Sequence, residues 1–371
     1  MHDRKDSQYM RKCLQLAERG RGAVEPNPMV GAIIVEGGRI VGRGWHRKFG
    51  GPHAEVEAIT DAGSAARGAT LYVSLEPCNH YGKTPPCTQA IIDAGIRKVV
   101  IGMPDPNPDV AGHGAARLRA AGIIVIEHVE RERCASLNEV YLVNAVEKRP
   151  FVLLKIAQTM DGFIAAAKGT SHWITSEEAR REVHRLRAVY DAVLVGAETI
   201  RKDNPSLNVR HVMGTSPRRV VLTRSWNLPL SSAVFSDTDA ARTILVTSRK
   251  AARTHADRVE RLRARGVSVV TATTDTLEYA SLQSTLQILY SEYSIRSILV
   301  EGGAEVFSAF LRARLTDRID LFTAPKIIGQ GKGSFSALRP LHLADAFRFR
   351  IEDVMRCGVD TYTILRPEKE D

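Results

Sequence analysis

The chain has no apolar run long enough to cross a bilayer, which excludes a protein built on membrane-spanning helices. Its first ten residues, Met1 to Met10, are polar and charged, unlike a secretory leader. Cysteine is sparse, with five in 371 residues, and the five do not suggest a disulfide framework. Free thiols of this kind suit a reducing compartment, and the expected location is cytoplasmic. There is no internal repeat, no low-complexity segment and no Gly-x-Gly-x-x-Gly dinucleotide fingerprint. A concentrated basic patch is also missing. The formal net charge is +10, but the basic residues are dispersed. Their densest stretch, Arg258 to Arg265, reads as a solvated helix face rather than a nucleic-acid surface. Anionic small molecules are compatible with that charge.

What is present is an ordinary globular composition, 44% hydrophobic and 25% charged, over a length that argues for two domains. Helices and strands alternate in the first half. Gln8 to Arg19 has helical spacing, with Met10, Leu14 and Ala17 on one face. Val30 to Val35 and Ile40 to Trp45 read as paired strands around a Gly37-Gly38 turn. Helices are expected at His53 to Ala62 and Thr88 to Ala94, and strands at Leu71 to Leu75 and Val99 to Gly102. A further helix and strand fall within 114–126, and Glu130 to Ala145 reads as one closing helix. Glu147-Lys148-Arg149-Pro150, polar and ended by proline, is the expected boundary between a domain over 1–147 and another over 151–368. The second series places strands at Val152 to Ala157, Ala192 to Gly196, Arg219 to Thr223, Ile244 to Thr247, Val267 to Thr271 and Ile298 to Glu301. Ile319 to Pro325 and the segments around Val354 and Thr361 follow without helices between them. The expectation is an α/β protein whose second domain has a mixed, mostly parallel sheet with an antiparallel edge.

The residues that carry chemistry lie in two short segments. His53-Ala54-Glu55 is followed by Pro77-Cys78 and then by Pro86-Cys87. One imidazole and two thiolates are a donor set for catalytic zinc, which keeps its fourth position for water. His-x-Glu followed by Pro-Cys and a second Cys is the signature of zinc deaminases. His53 and Cys87 stand where predicted helices begin, after Gly51-Pro52 and Pro85-Pro86, and a helix N-terminus favours a thiolate. Glu55 can face the open position without binding the metal. From there it would take a proton from the attacking water and pass it to the leaving amine. A closed structural site would instead want a fourth ligand, for which His80 and Cys134 are the candidates, neither regularly spaced from the others.

Eight residues separate the two cysteines, where many nucleoside, nucleotide and tRNA deaminases have two. The run Pro77-Cys78-Asn79-His80-Tyr81-Gly82-Lys83-Thr84-Pro85-Pro86-Cys87, with Pro26-Asn27-Pro28-Met29-Val30-Gly31 and Gly44-Trp45-His46, resembles the deaminase half of the bifunctional riboflavin-biosynthesis deaminase/reductase family. The resemblance implies a cytidine-deaminase-like three-layer domain with a mixed sheet. It would deaminate a diaminopyrimidinone carrying a phosphoribosylamino group, with Asn27, His46, His80 and Lys83 touching the substrate.

Further on, Ile298-Leu299-Val300-Glu301-Gly302-Gly303-Ala304 is a strand running into a glycine pair and then a helix, a turn that lets backbone amides approach a phosphate. Thr223-Arg224-Ser225 ends another strand, and hydroxyls with a guanidinium suit a ribose 2′-phosphate better than an acid would. Met160-Asp161-Gly162, Gly169-Thr170-Ser171-His172-Trp173-Ile174-Thr175 and Asp203-Asn204-Pro205-Ser206-Leu207-Asn208-Val209-Arg210 resemble the reductase half of the same family. That half is similar in fold to dihydrofolate reductase and would reduce a ribosyl group to ribityl with NADPH. By the resemblance, Ser171, Arg187, Leu207, Arg210 and Glu301 would contact the substrate. Ala157, Trp173, Thr199, Asp203, Thr223 and the turn Gly303, Ala304, Glu305 would contact the cofactor. Phe163 and Asn204 depart from the usual pattern, where many relatives carry a basic residue and a second aspartate.

The resemblance therefore implies zinc and NADPH as cofactors, phosphorylated pyrimidines as ligands, no nucleic acid or membrane partner, and a homo-oligomer, dimer or tetramer. A tRNA-editing adenosine deaminase with an accessory domain is the alternative enzyme; the cysteine insert and the dispersed charge argue against it. A degenerate paralogue acting as an assembly partner would need a broken site, whereas His53, Glu55, Cys78 and Cys87 are all present.

Overall fold

A computed structural model of the chain describes residues 4–80, 85–107, 111–167, 173–272, 279–338 and 342–368. Two compact units emerge, Met1–Lys148 and Arg149–Asp371. Among the described residues, no helix is long and apolar enough to cross a membrane.

The first unit contains α1 (Arg4–Ala17), β1 (Gly31–Glu36), β2 (Arg39–Trp45), α2 (Ala54–Ala62), β3 (Thr70–Leu75), α3 (Cys87–Asp93), β4 (Lys98–Met103), α4 (His113–Ala120), β5 (Ile124–Ile126), α5 (Arg131–Leu137) and α6 (Glu139–Glu147). Its sheet has the order β2-β1-β3-β4-β5. β1 is antiparallel to β2 and β3, while β3, β4 and β5 run parallel. The sheet is mixed because Gly37 and Gly38, both at positive φ, return β1 directly into β2, whereas the later strands are joined through helices. Every residue of β3 and β4 after the first is buried, so helices cover both faces of the centre. α2 lies against β2 at a separation only glycine permits: a Cβ at Gly44 would strike the Ala54 carbonyl, and one at Gly42 the Ala58 carbonyl.

The expected closing helix is two helices. Asn138 leaves helical geometry at φ −110°, ψ 24°. Its side chain brackets Met29 instead, accepting from the Met29 N–H at 2.8 Å and donating to the Met29 carbonyl at 2.9 Å. A long-range amide pairing interrupts a periodic pattern that reads as continuous in the sequence.

The second unit contains β6 (Phe151–Thr159), β7 (Phe163–Ala166), α7 (Glu177–Val189), β8 (Ala192–Gly196), α8 (Ala197–Asp203), β9 (Arg218–Thr223), α9 (Ala233–Ser236), β10 (Thr243–Thr247), α10 (Arg249–Thr254), α11 (Ala256–Arg263), β11 (Ser268–Thr271), α12 (Tyr279–Ser291), β12 (Ser297–Gly302), α13 (Ala304–Arg312), β13 (Arg318–Ala324), β14 (Gly331–Gly333), β15 (Phe349–Cys357) and β16 (Asp360–Pro367). The nine-stranded order is β11-β10-β9-β8-β12-β6-β13-β16-β15. Seven strands are parallel, and β16 and β15 add an antiparallel edge, so the sheet is mixed and mostly parallel. β7 and β14 form a separate short ribbon that the sequence pattern did not reveal. The core is built from fully buried β-branched and leucine side chains, among them Val152, Leu154, Val220, Val246, Ile298 and Val300.

Candidate active sites

In the first unit, a cavity of about 350 Å³ opens where the C-terminal ends of β3 and β4 meet the start of α2. His53 is the N-cap of α2, and its side chain makes no capping bond. Cys78 follows β3, and Cys87 begins α3 and donates its backbone N–H to the Cys78 sulfur at 3.3 Å. His53 Nδ1 lies 3.2 Å from Cys87 Sγ and 3.6 Å from Cys78 Sγ. Zinc–nitrogen and zinc–sulfur bonds at tetrahedral angles require N···S edges of about 3.5 Å, so this donor set fits zinc. Among the described residues it is the one cluster of three His, Cys, Asp or Glu donors with this closeness. Cys134, a candidate fourth ligand, is instead buried in the core, and His80 lines the cavity outside the cluster.

The Cys87 hydrogen bond drives the Cys78 thiol down to about 4, with His53 contributing, while sharing that proton and burial drive Cys87 up. A donor set that sheds a proton so readily is suited to a dication. Glu55 is 3% exposed and lines the cavity. Burial pushes its carboxyl up to about 7, opposed by His53 and by a hydrogen bond with Cys87.

Beside His53 lie expected substrate residues: the His46 ring meets the His53 ring edge-on with centroids 5.5 Å apart. His46 Nδ1 donates to the Pro52 carbonyl at 3.0 Å, which makes Nε2 the acceptor for the Asn27 amide at 3.1 Å. Burial pushes His46 down, consistent with this neutral tautomer. Asn27 and His46 thus orient each other at the cavity wall, which His80 also lines. Lys83 lies outside the described residues. Sequence reasoning missed Glu76, Asp105, Asn107 and Tyr141, which also line this cavity. Glu76 accepts from the backbone N–H groups of Asp105, Gly112 and Ala115 at 3.2, 3.0 and 3.0 Å, tying the β3 end that carries Cys78 to the start of α4. Its position beside Pro77-Cys78 was the available signal. Tyr141 comes from α6 with no signal in the chain; its hydroxyl donates to Asp105 at 3.3 Å.

In the second unit, a cavity of about 710 Å³ is lined by Ala157, Trp173, Arg187, Thr199, Asp203, Leu207, Arg210, Glu301 and Gly303 among others. Ser171 lies outside the described residues. Gly302 has φ +152°, a conformation suited to glycine, and a Cβ at Gly302 or Gly303 would approach the Thr199 hydroxyl at 3.5 or 3.8 Å. Bare backbone, a hydroxyl and the α13 N-terminus make a cradle of the kind a nucleotide phosphate occupies, so the residues present fit NADPH. Trp173 is 63% exposed and carries the Arg180 guanidinium 4.5 Å over its ring.

Three of the expected cofactor residues do not line this cavity. Thr223 is buried, and its hydroxyl accepts from the Trp226 N–H at 3.1 Å, closing the turn after β9. Ala304 is fully buried, and Glu305 points outward to Arg224 at 3.4 Å. A polar residue at a strand end was equally suited to a ligand or to its own turn, and for Thr223 the turn prevails. Asn204 adopts φ +40° at the C-cap of α8, and its side chain accepts from the Ala233 N–H at 2.8 Å.

Arg187, expected to contact the substrate, has its fork on Glu301: Nε and Nη2 donate to the two carboxylate oxygens at 2.5 and 2.8 Å. Lys155 Nζ lies 3.6 Å from the same carboxylate. Burial would raise Glu301, but Arg187 and Lys155 outweigh it and hold the carboxyl down to about 2. Burial pushes Lys155 down, and Glu301 pulls it back. Lys155 was missed, although a lone cation inside the apolar strand Phe151–Thr159 was a readable signal.

Comparison with known proteins agrees with this division. The family described as the RibD C-terminal domain matches residues 150–363, and the cytidine and deoxycytidylate deaminase zinc-binding region matches residues 3–103. The riboflavin biosynthesis protein RibD of Synechocystis is 44% identical over 324 residues, covering 87% of this chain and 85% of that protein. A solved RibD structure from Acinetobacter baumannii has a TM-score of 0.81 at 36% identity, covering 98% of this chain and 99% of that one. A structure from Thermotoga maritima, titled diaminohydroxyphosphoribosylaminopyrimidine deaminase/5-amino-6-(5-phosphoribosylamino)uracil reductase, has a TM-score of 0.79 at 41% identity with the same coverage.

Proposed function

The chain belongs to the RibD family of bifunctional riboflavin-biosynthesis proteins, and on that premise we propose which of its residues carry each half of the chemistry. It is a zinc-dependent deaminase of the diaminopyrimidine ribotide and an NADPH-dependent reductase of the resulting aminouracil ribotide. The first unit is cytidine-deaminase-like and the second dihydrofolate-reductase-like.

In the first unit, His53, Cys78 and Cys87 hold zinc, which when bound supplies the Lewis acidity that makes water nucleophilic near neutral pH. Glu55 takes a proton from the attacking water and delivers it to the departing amine. Asn27 and His46, bonded to each other at the cavity wall, seat the pyrimidine, and His80 and Lys83 are its further contacts.

In the second unit, NADPH supplies the hydride, so this chain's residues orient the reactants. Gly303 and Thr199 face the cofactor phosphates, and Ala157, Trp173 and Asp203 line the remainder of its path. Thr223, Ala304 and Glu305 serve by shaping the turns around it. Ser171, Leu207 and Arg210 meet the aminouracil ribotide. Glu301, fixed as an anion by Arg187, anchors the ribosyl hydroxyls. Lys155 is the neighbouring group able to release a proton. The protein works in the cytoplasm as a homo-oligomer, dimer or tetramer; the exposed edge strand β15, with Ile351 and Val354 outward, supports self-association.

The observation that carries the reading is the three-donor cluster sharing one cavity with the buried Glu55. The test is mass spectrometry of the product after incubation with the diaminopyrimidine ribotide and NADPH. Replacement of an amine by oxygen together with gain of two hydrogens is the expected result. The first change alone would remove the reductase assignments, and no change would remove both.

A further inference from the structure

Two side chains one turn apart on α7, His184 and Arg187, hold the segment from Leu207 to Arg210. His184 is 5% exposed yet lines the larger cavity. The Arg210 backbone N–H donates to its Nδ1 at 3.3 Å. An Nδ1 that accepts carries no proton, so the ring is neutral with its proton on Nε2. Three positions later, Arg187 Nη1 donates to the Asn208 carbonyl at 3.0 Å. The two attachments catch backbone atoms two residues apart and so define the path of the chain between them.

That path has to be held. Leu207 is buried with φ +53°, a region unfavourable for any residue with a branched side chain. Arg210, exposed on the same segment, has its guanidinium steadied by the Asn208 side chain at 2.9 Å. Arg187 cannot hold the segment independently of the rest of the site, because its fork is committed to Glu301. Among the described residues, His184 holds the segment without being shared with Glu301 by a hydrogen bond.

The surroundings keep the acceptor available. His211 packs edge-on against the His184 ring, with centroids 4.6 Å apart. Arg187 from the same helix and Arg210 and His211 from the facing segment all oppose a charge on the ring, and Glu301 from β12 favours one. Burial prevails, with Arg187, His211 and Arg210 adding to it, and pushes His184 down to about 4.

We propose that His184 is a positioning residue for aminouracil ribotide binding: its Nδ1 fixes the segment that presents Leu207 and Arg210 to the substrate. This rests on the reading of the larger cavity as the reductase site.

The experiment is calorimetric titration of the full chain with aminouracil ribotide and, separately, with NADPH, for wild type, His184→Ala, His184→Phe, His184→Asn and Arg210→Met. Asparagine places an acceptor oxygen where Nδ1 stands; alanine and phenylalanine do not. Loss of one neutral hydrogen bond predicts about five- to tenfold weaker ribotide binding in His184→Ala and His184→Phe. NADPH binding is unchanged, and His184→Asn stays within about twofold of wild type. If His184→Phe does not fold, the alanine–asparagine pair carries the comparison. Wild-type binding by His184→Ala, or equal weakening in His184→Asn and His184→Ala, overturns the proposal while Arg210→Met still weakens binding. If Arg210→Met binds ribotide as wild type does, the site reading itself fails.

Discussion

Replacing Glu301 by glutamine would leave two buried cations without the anion between them. The side chains of Arg187, Glu301 and Lys155 are 11, 7 and 13% exposed, so water screens them little. The magnitude follows by two routes. Breaking a buried pair by removing one partner costs about 3–5 kcal/mol. Independently, the shift of Glu301 from 4.5 to about 2 corresponds to about 3 kcal/mol favouring its charged form in the folded state. Lys155, already pushed down by burial, can release its proton in the variant, which sets the expected loss at the lower figure, about 3 kcal/mol. The dependence on pH has a definite sign. Because the folded-state value is depressed, the stabilisation is complete above pH 4.5 and disappears as pH falls through about 2. Urea unfolding of wild type and Glu301→Gln, followed by a probe in the second unit, should show a gap of about 3 kcal/mol at pH 7 that narrows steadily from pH 4.5 downward. A gap below about 1 kcal/mol at pH 7, or one that stays constant down to pH 3, would refute the argument that this carboxylate is held ionised by its two cations.

Other outcomes follow from the same geometry. Glu55→Ala should retain zinc by metal analysis and lose deamination by about 10²–10⁴-fold, while reduction of supplied aminouracil ribotide continues; persistent deamination would remove Glu55 as the proton carrier. Chelation of the metal, or Cys78→Ser, should abolish deamination and leave the reductase rate unchanged, since the three donors all belong to the first unit. Glu76→Gln sets an amide nitrogen against backbone donors that now bond a carboxylate. It should lower the stability of the first unit by about 1–3 kcal/mol in thermal unfolding, with the second unit's transition in place.

The elements that the sequence marks most clearly are those with a helical apolar period, such as α1, or a short, nearly continuous apolar run, such as the buried strands β3, β4, β8 and β12. The continuous helix read over 130–145 breaks at Asn138 because the pairing that breaks it, with Met29, lies 109 residues away. The ribbon of β7 and β14 escaped notice for a related reason. Each strand is short, and its partner is distant in the chain.

The chemistry of the first site was written locally. Its imidazole and carboxylate stand on one helical turn, one thiolate follows a strand and the other begins a helix, so His53, Glu55, Cys78 and Cys87 carry a readable spacing. The α/β alternation of both halves, the mixed sheet of the second and the candidate donors His53, Cys78 and Cys87 could be read from the sequence by itself. Only the tertiary structure brought Tyr141 to Asp105, committed the Arg187 fork to Glu301, set Lys155 beside it, turned Thr223 inward, and placed His184 on the Arg210 backbone. These side chains act across strand ends and helices that meet only when the sheets assemble. Their partners are chosen by distance in space, and hydrogen bonds and buried charges take effect only within a few ångströms.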